Sequence, residues 1–85
     1  MLCEFTLAAG AVIPNHAHPH EQAGYVVSGR LRITIDGQTS ELGPGGTYCA
    51  PSNVPHSALI LEPAVVVDAF SPPREDYLPN VNRDA

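Results

Sequence analysis

Eighty-five residues carrying a formal charge of −5, with only four Lys and Arg, offer no basic patch for nucleic acid. No apolar run approaches the roughly 20 residues needed to span a bilayer, and no charged leader with a cleavage site opens the chain, so a cytoplasmic protein is expected. A chain of this size makes one domain, buries only about 60% of its unfolded surface and is marginal alone.

Nine prolines and seven glycines predict frequent turns and short strands. Leu2 to Leu7 reads as a strand and Ala9-Gly10 as the turn after it. A strand at the very start of the chain leaves a sheet edge open unless a partner covers it, so a homodimer is expected. Ala11 to Ile13 starts another short strand, and Pro14 and Pro19 keep the following histidine segment extended and irregular. Gly24 to Val27 is apolar and β-prone, with a turn expected at Ser28-Gly29. Leu31, Ile33 and Ile35 alternate with Arg30, Arg32 and Thr34, the pattern of a strand with one wet face. Asp36-Gly37 is a hairpin signal, because both residue types tolerate positive φ, and Gln38 to Leu42 returns from it. Gly43 to Gly46 turns again, Thr47 to Ala50 is a short strand, and Pro51 to Pro55 a loop. His56 to Leu61 and Ala64 to Phe70 read as two strands split by Glu62-Pro63. Two cysteines are too few for a disulfide framework; Cys3 and Cys49 read as small buried apolar side chains. No segment shows helical periodicity, so the fold class is all-β, a sandwich or barrel.

The chemistry concentrates in Gly10 to Gly29. Side chains at i and i+2 of an extended segment share a face, so His16 and His18 offer two imidazoles to one point. Two imidazoles do not close a metal site. The nearby candidates are Gln22 and Glu21, and the distant one is His56. A carboxylate is the stronger donor, but alternation turns Glu21 away. His20 follows Pro19, which breaks the alternation, and reads as a rim residue. Three imidazoles and an amide would suit a divalent transition metal (Ni, Mn, Fe, Co or Zn) and would not suit Cu(I) or an iron–sulfur cluster.

A second signal lies in Ala64 to Phe70, where alternation puts Asp68 on one face with Ala64, Val66 and Phe70. If that face is the interior, the carboxylate is costly unless paired or functional. The plainer reading is an Asp near a strand end, satisfied by water or a turn. Arg74 follows closely, and its plain role is a surface ion pair with Glu75 or Asp76.

Gly10, His16, His18 and Gly29 stand at the spacing of the first cupin motif, with Gln22 in place of its acid. Gly45, Pro51 and His56 fit the second, with Asn53 for its glycine and Ile60 for its asparagine. The chain thus resembles the cupins, which implies a jelly-roll-like β-barrel over residues 1–79 and a short tail, 80–85, expected to be disordered. The resemblance also implies a metal held by His16, His18, Gln22 and His56. Neutral Gln in place of Glu leaves such a site more positive, which favours an anionic substrate and removes an internal base.

His-Ala-His-Pro-His-Glu-Gln22, Asn53-Val-Pro-His56 and Asp68-Ala-Phe-Ser-Pro-Pro-Arg74 look, more narrowly, like the small KdgF-type cupins of pectin and alginate breakdown. Those proteins convert 4,5-unsaturated uronates to their linear keto form. The resemblance implies that Asp68, Phe70 and Arg74 line the site. It implies a small anionic sugar acid as partner, with Asp68 moving the proton, Arg74 clamping the carboxylate and Phe70 packing on the ring. Two other functions are compatible with the motifs. One is a different metal cupin enzyme, a dioxygenase or isomerase, which oxygen uptake by iron-loaded protein would reveal. The other is a non-catalytic sugar- or metal-binding module, which would bind without turnover.

Overall fold

The computed structural model describes residues 1–72. Its six strands are β1 (Leu2–Leu7), β2 (Val12–His16), β3 (Glu21–Ile35), β4 (Gln38–Leu42), β5 (Thr47–Ala50) and β6 (His56–Ser71), and no helix occurs among the described residues. All pairings are antiparallel. The sheet runs β1-β6-β3-β4, with β2 joined to β6 and β5 joined to β3. The long strands β3 and β6 are thus the spine, and each carries short strands along both of its halves. The expected all-β class holds, with the strands wrapped around one apolar interior.

That interior follows from alternation. Val26, Leu31 and Ile33 of β3 and Ile60, Ala64 and Val66 of β6 form the buried cluster, with Phe5, Leu7 and Ile35 packed against it. The wet face predicted for Arg30, Arg32 and Thr34 is exposed or half-buried. Asp36 and Gly37 form the expected two-residue hairpin, with φ of 51° and 77° joining Ile35 to its partner Gln38.

Two expected breaks are absent. Ser28-Gly29 was expected to turn the chain and Glu62-Pro63 to split a strand, but β3 and β6 run straight through both. The ladder shifts register at Val26/Ser28, Ser28/Arg30 and Arg30/Leu31, so the irregularity is absorbed as bulges. A bulge and a turn ask for the same residue types locally, and the long-range β3–β6 pairing decides between them. Gly29 has a φ of 83°, and a Cβ there would run into the Pro63 carbonyl and the Ala64 backbone. Gly29→Ala combines a left-handed backbone cost with a steric clash, and is expected to lower unfolding stability by about 3 kcal/mol in urea titrations.

Alternation also corrects the cysteines. Cys3 is half-buried and Cys49 exposed, both unbridged, because Cys49 sits between the inward Tyr48 and Ala50 and must point outward. Strand β2 extends past Pro14 to His16, with a register shift against β6 between Ile13 and His16. Arg74 and the tail lie outside the described residues.

Candidate metal centre and its carboxylate

His16 ends β2 directly opposite His56, which opens β6. His18 lies on the short connection that follows β2, and its carbonyl accepts from the Asn53 amide at 2.7 Å. Ser52 Oγ donates to the Pro19 carbonyl at 2.6 Å, so the loop before β6 is latched to the loop after β2. The latch needs a left-handed residue at position 53, and Asn53 supplies it with a φ of 62°. Asparagine is among the few side chains that enter that region readily. Its standing where the cupin motif has glycine is therefore a substitution that keeps the backbone.

The three rings converge. Centroids of His16 and His56 are 4.3 Å apart, of His18 and His56 4.8 Å, and of His16 and His18 5.4 Å. One ring nitrogen from each lies within 4.8 Å of the other two. Metal–imidazole bonds of about 2.1 Å in tetrahedral ligation put bound nitrogens about 3.4 Å apart, so the three rings would draw together by up to about 1.4 Å around an ion.

Hydrogen bonds fix which nitrogen is offered. The Nδ1 atoms of His16, His18 and His56 lie 2.7, 2.9 and 2.9 Å from the carbonyls of Pro14, His20 and Val54. A carbonyl only accepts, so each Nδ1 carries the proton and each Nε2 keeps its lone pair for a ligand. Gln22 adds an oxygen. Its Nε2 donates to Asp68 Oδ2 at 3.1 Å, which turns Oε1 towards His18 Nε2, 3.3 Å away. In the neutral ring two lone pairs face each other at that distance, an arrangement that a proton or a metal ion would bridge, and a divalent ion fits the donor set.

His20 stands outside the three-histidine group, its ring edge-on to His18 at 5.6 Å and its Nδ1 buried with no hydrogen-bond partner. Glu21 is exposed at the start of β3. Phe70 is buried, with its ring centroid 6.2 Å from that of His18.

Asp68 points inward from β6 with Val66 and Phe70, and only 4% of it is exposed. It faces a cavity of about 270 Å³ lined by the polar side chains of His16, Gln22, Tyr48, His56 and Ser57 and otherwise by apolar ones. Both carboxylate oxygens are engaged: Gln22 donates to Oδ2, and the Tyr48 hydroxyl donates to Oδ1. Burial pushes the Asp68 carboxyl up, against the hydrogen bonds from Tyr48 and Gln22 that favour the ionised form. Burial, followed by the charge and hydrogen bond of Asp68, raises the Tyr48 phenol well above its ordinary range.

Tyr48 was not among the residues singled out from the sequence. The available signal was weak: an inward position in a four-residue strand, next to an outward cysteine.

A raised carboxyl adds stability below its unfolded value of about 3.9 and loses it as pH climbs through the folded value. In metal-free protein the stability of the wild type relative to Asp68→Asn is thus expected to fall as pH rises from about 3.9. Urea unfolding across pH checks this, and a pH-independent difference contradicts the burial of Asp68.

Comparison with known proteins adds a lineage to this geometry. The KdgF pectin degradation protein of Dickeya dadantii is 38% identical over 73 residues, which is 84% of this chain and 66% of that protein's length. The structure of KdgF from Halomonas sp. superposes with a TM-score of 0.88 at 40% identity, covering 92% of this chain and 73% of that one. An RmlC-like cupin from Shewanella frigidimarina gives the same TM-score at 35% identity, covering 92% and 70%. The family model described as Cupin domain matches residues 3–70. Since that match runs through both histidine-bearing segments and the strands that carry Gln22, Tyr48 and Asp68, this chain belongs to the cupin family.

Proposed function

We propose that this cupin is a metal-dependent enzyme that opens the ring of 4,5-unsaturated uronates derived from pectin or alginate. The observation that carries the reading is Asp68, a buried carboxylate that lines the same cavity as His16 and His56 of the three-histidine group. The similarity to the Dickeya and Halomonas KdgF proteins supports the choice of substrate class.

In this reading His16, His18, His56 and Gln22 hold the divalent metal. When bound, it would supply Lewis-acid polarisation of a substrate oxygen. The substrate is a cyclic enol ether bearing a carboxylate. Asp68 takes the proton from the anomeric hydroxyl, and the freed electron pair forms the C1 carbonyl as the bond from C1 to the ring oxygen breaks. That oxygen becomes the C5 ketone while the former double bond takes a proton from Asp68 at C4. Atoms and charge balance, and the net change is one proton moved from oxygen to carbon. The raised Asp68 carboxyl suits a group that must both take and return a proton. Phe70 closes the apolar side of the cavity against the sugar ring. Arg74, outside the described residues, completes the reading by pairing with the substrate carboxylate through its planar fork.

The test follows the alkene absorbance of 4,5-unsaturated galacturonate with metal-loaded protein against a no-enzyme control. Faster decay is expected, and decay at the control rate overturns the reading.

A homodimer belongs to the same proposal. Strand β1 pairs only with β6 among the described residues, which leaves its other edge open, and Leu2 is 73% exposed. Light scattering is expected to give twice the chain mass at micromolar concentration, and a stable monomer contradicts it. The two unbridged cysteines fit a cytoplasmic location.

A further inference from the structure

The geometry points to Tyr48 as a positioning residue for the metal centre: seated across Gly24, it fixes the Asp68 carboxylate and through it the orientation of the Gln22 amide. This inference rests on the metal-site reading, not on the choice of substrate.

Three strands set the arrangement. Tyr48 on β5, Gly24 on β3 and Asp68 on β6 are register partners, one row across the sheet. Adjacent strands lie about 4.8 Å apart, so Tyr48 meets Asp68 only by laying its ring over the strand between them. A Cβ at position 24 would overlap that ring at Cζ, Cε2 and the hydroxyl. The φ of Gly24 lies outside the left-handed region, so what the position requires is space, not backbone freedom. The missing side chain is the notch through which the tyrosine reaches β6.

The next row carries Gln22, opposite Phe70. An amide has two ends, and only the oxygen can ligate a metal. With Nε2 donating to Asp68 Oδ2, Oε1 faces His18. Rotated by half a turn, the amide would set its oxygen against a carboxylate and offer the ion an NH₂ group with no usable lone pair. The plane of the Asp68 carboxylate therefore decides which end of Gln22 is presented. That terminal torsion is soft by itself. The Tyr48 hydroxyl on Oδ1 and the Gln22 amide on Oδ2 pin it from opposite ends.

The test is a double-mutant cycle read by zinc(II) affinity in competition with a chromophoric chelator. Tyr48→Phe keeps the ring and removes the donor. It is expected to weaken zinc binding about 10-fold, as loss of an outer-shell partner does. In a Gln22→Ala background the same change is expected to cost less than about 2-fold, because there is no amide left to orient. A merely structural tyrosine would cost the same in both backgrounds, and that result, or no loss in either, overturns the proposal.

A second readout needs no metal. In metal-free protein the side-chain amide protons of Gln22, followed by ¹⁵N-resolved NMR, are expected to exchange several-fold faster in Tyr48→Phe, and unchanged exchange overturns it. If the wild type binds no zinc, the metal-site reading is overturned and the role of Tyr48 at a metal centre with it, whatever this readout gives. Gly24→Ala, which blocks the ring's path, is expected to reproduce both effects should Tyr48→Phe fold poorly. A protein that binds zinc as described but leaves unsaturated uronate untouched ends the ring-opening reading and leaves this one standing.

Discussion

Asp68→Asn is expected to keep the metal and the substrate and to lose roughly 10²- to 10⁴-fold in turnover, the span attributed to a positioned proton-transfer group. The hydrogen bonds make this substitution informative. The amide oxygen of Asn can still accept from Gln22 Nε2, which donates to Oδ2 in the wild type. Its NH₂ can donate to the Tyr48 oxygen, reversing the bond that runs from the hydroxyl to Oδ1. Shape and the Gln22 orientation survive, and only the exchangeable proton is lost. Turnover and KM on unsaturated galacturonate, measured beside zinc content, separate the cases. A fall in turnover with KM and metal intact is the expected result. Unchanged turnover per folded molecule would make Asp68 structural and leave the proposed reaction without a base.

His56→Ala is expected to reduce metal affinity by more than about 100-fold, beyond the 10- to 100-fold of outer-shell changes, because it removes a ligand outright. His56 is 5% exposed and its ring packs against those of both His16 and His18. The remaining pair does not close a site. Elemental analysis after loading with zinc reads the result directly. Metal retained at the wild-type ratio would remove the three-histidine reading. The substitution also opens a void among buried rings, so a modest stability loss is expected alongside, of about 1–2 kcal/mol.

Much of the site was legible because alternation is a strict rule. The inward face shared by Val66, Asp68 and Phe70 follows from strand geometry alone. His16 and His18 converge as the two-residue step suggests, although β2 ends at His16 and His18 lies on the connection after it. The convergence of His56 with them came from motif spacing, since nothing local at His56 says what it will face. What local reading missed was decided between strands. Ser28-Gly29 and Glu62-Pro63 have turn chemistry, yet the ladder between β3 and β6 carries both as irregularities inside long strands. Tyr48 was invisible for the same reason. Its partner is 20 residues away on a strand it does not adjoin, and the residue that permits the contact, Gly24, contributes by lacking a side chain. Cys49 was misjudged because composition says cysteines are often buried, while its strand position turns it outward.

The pairing of β1 with β6 has a consequence for how the chain assembles. Leu2 to Leu7 find their partners at Ala64 to Ala69, and the Met1 amine donates to the Phe70 carbonyl across a separation of 69 residues. During synthesis Leu2–Leu7 emerges long before Ala64–Ala69, the segment it pairs with here. Closing so long a loop is entropically slow, and folding rates fall as such distant contacts come to dominate. Until then an apolar strand with exposed amides is available to any neighbouring chain. Crowded, rapid expression should therefore favour aggregates nucleated by Leu2–Leu7 over native protein, and slower synthesis should recover it.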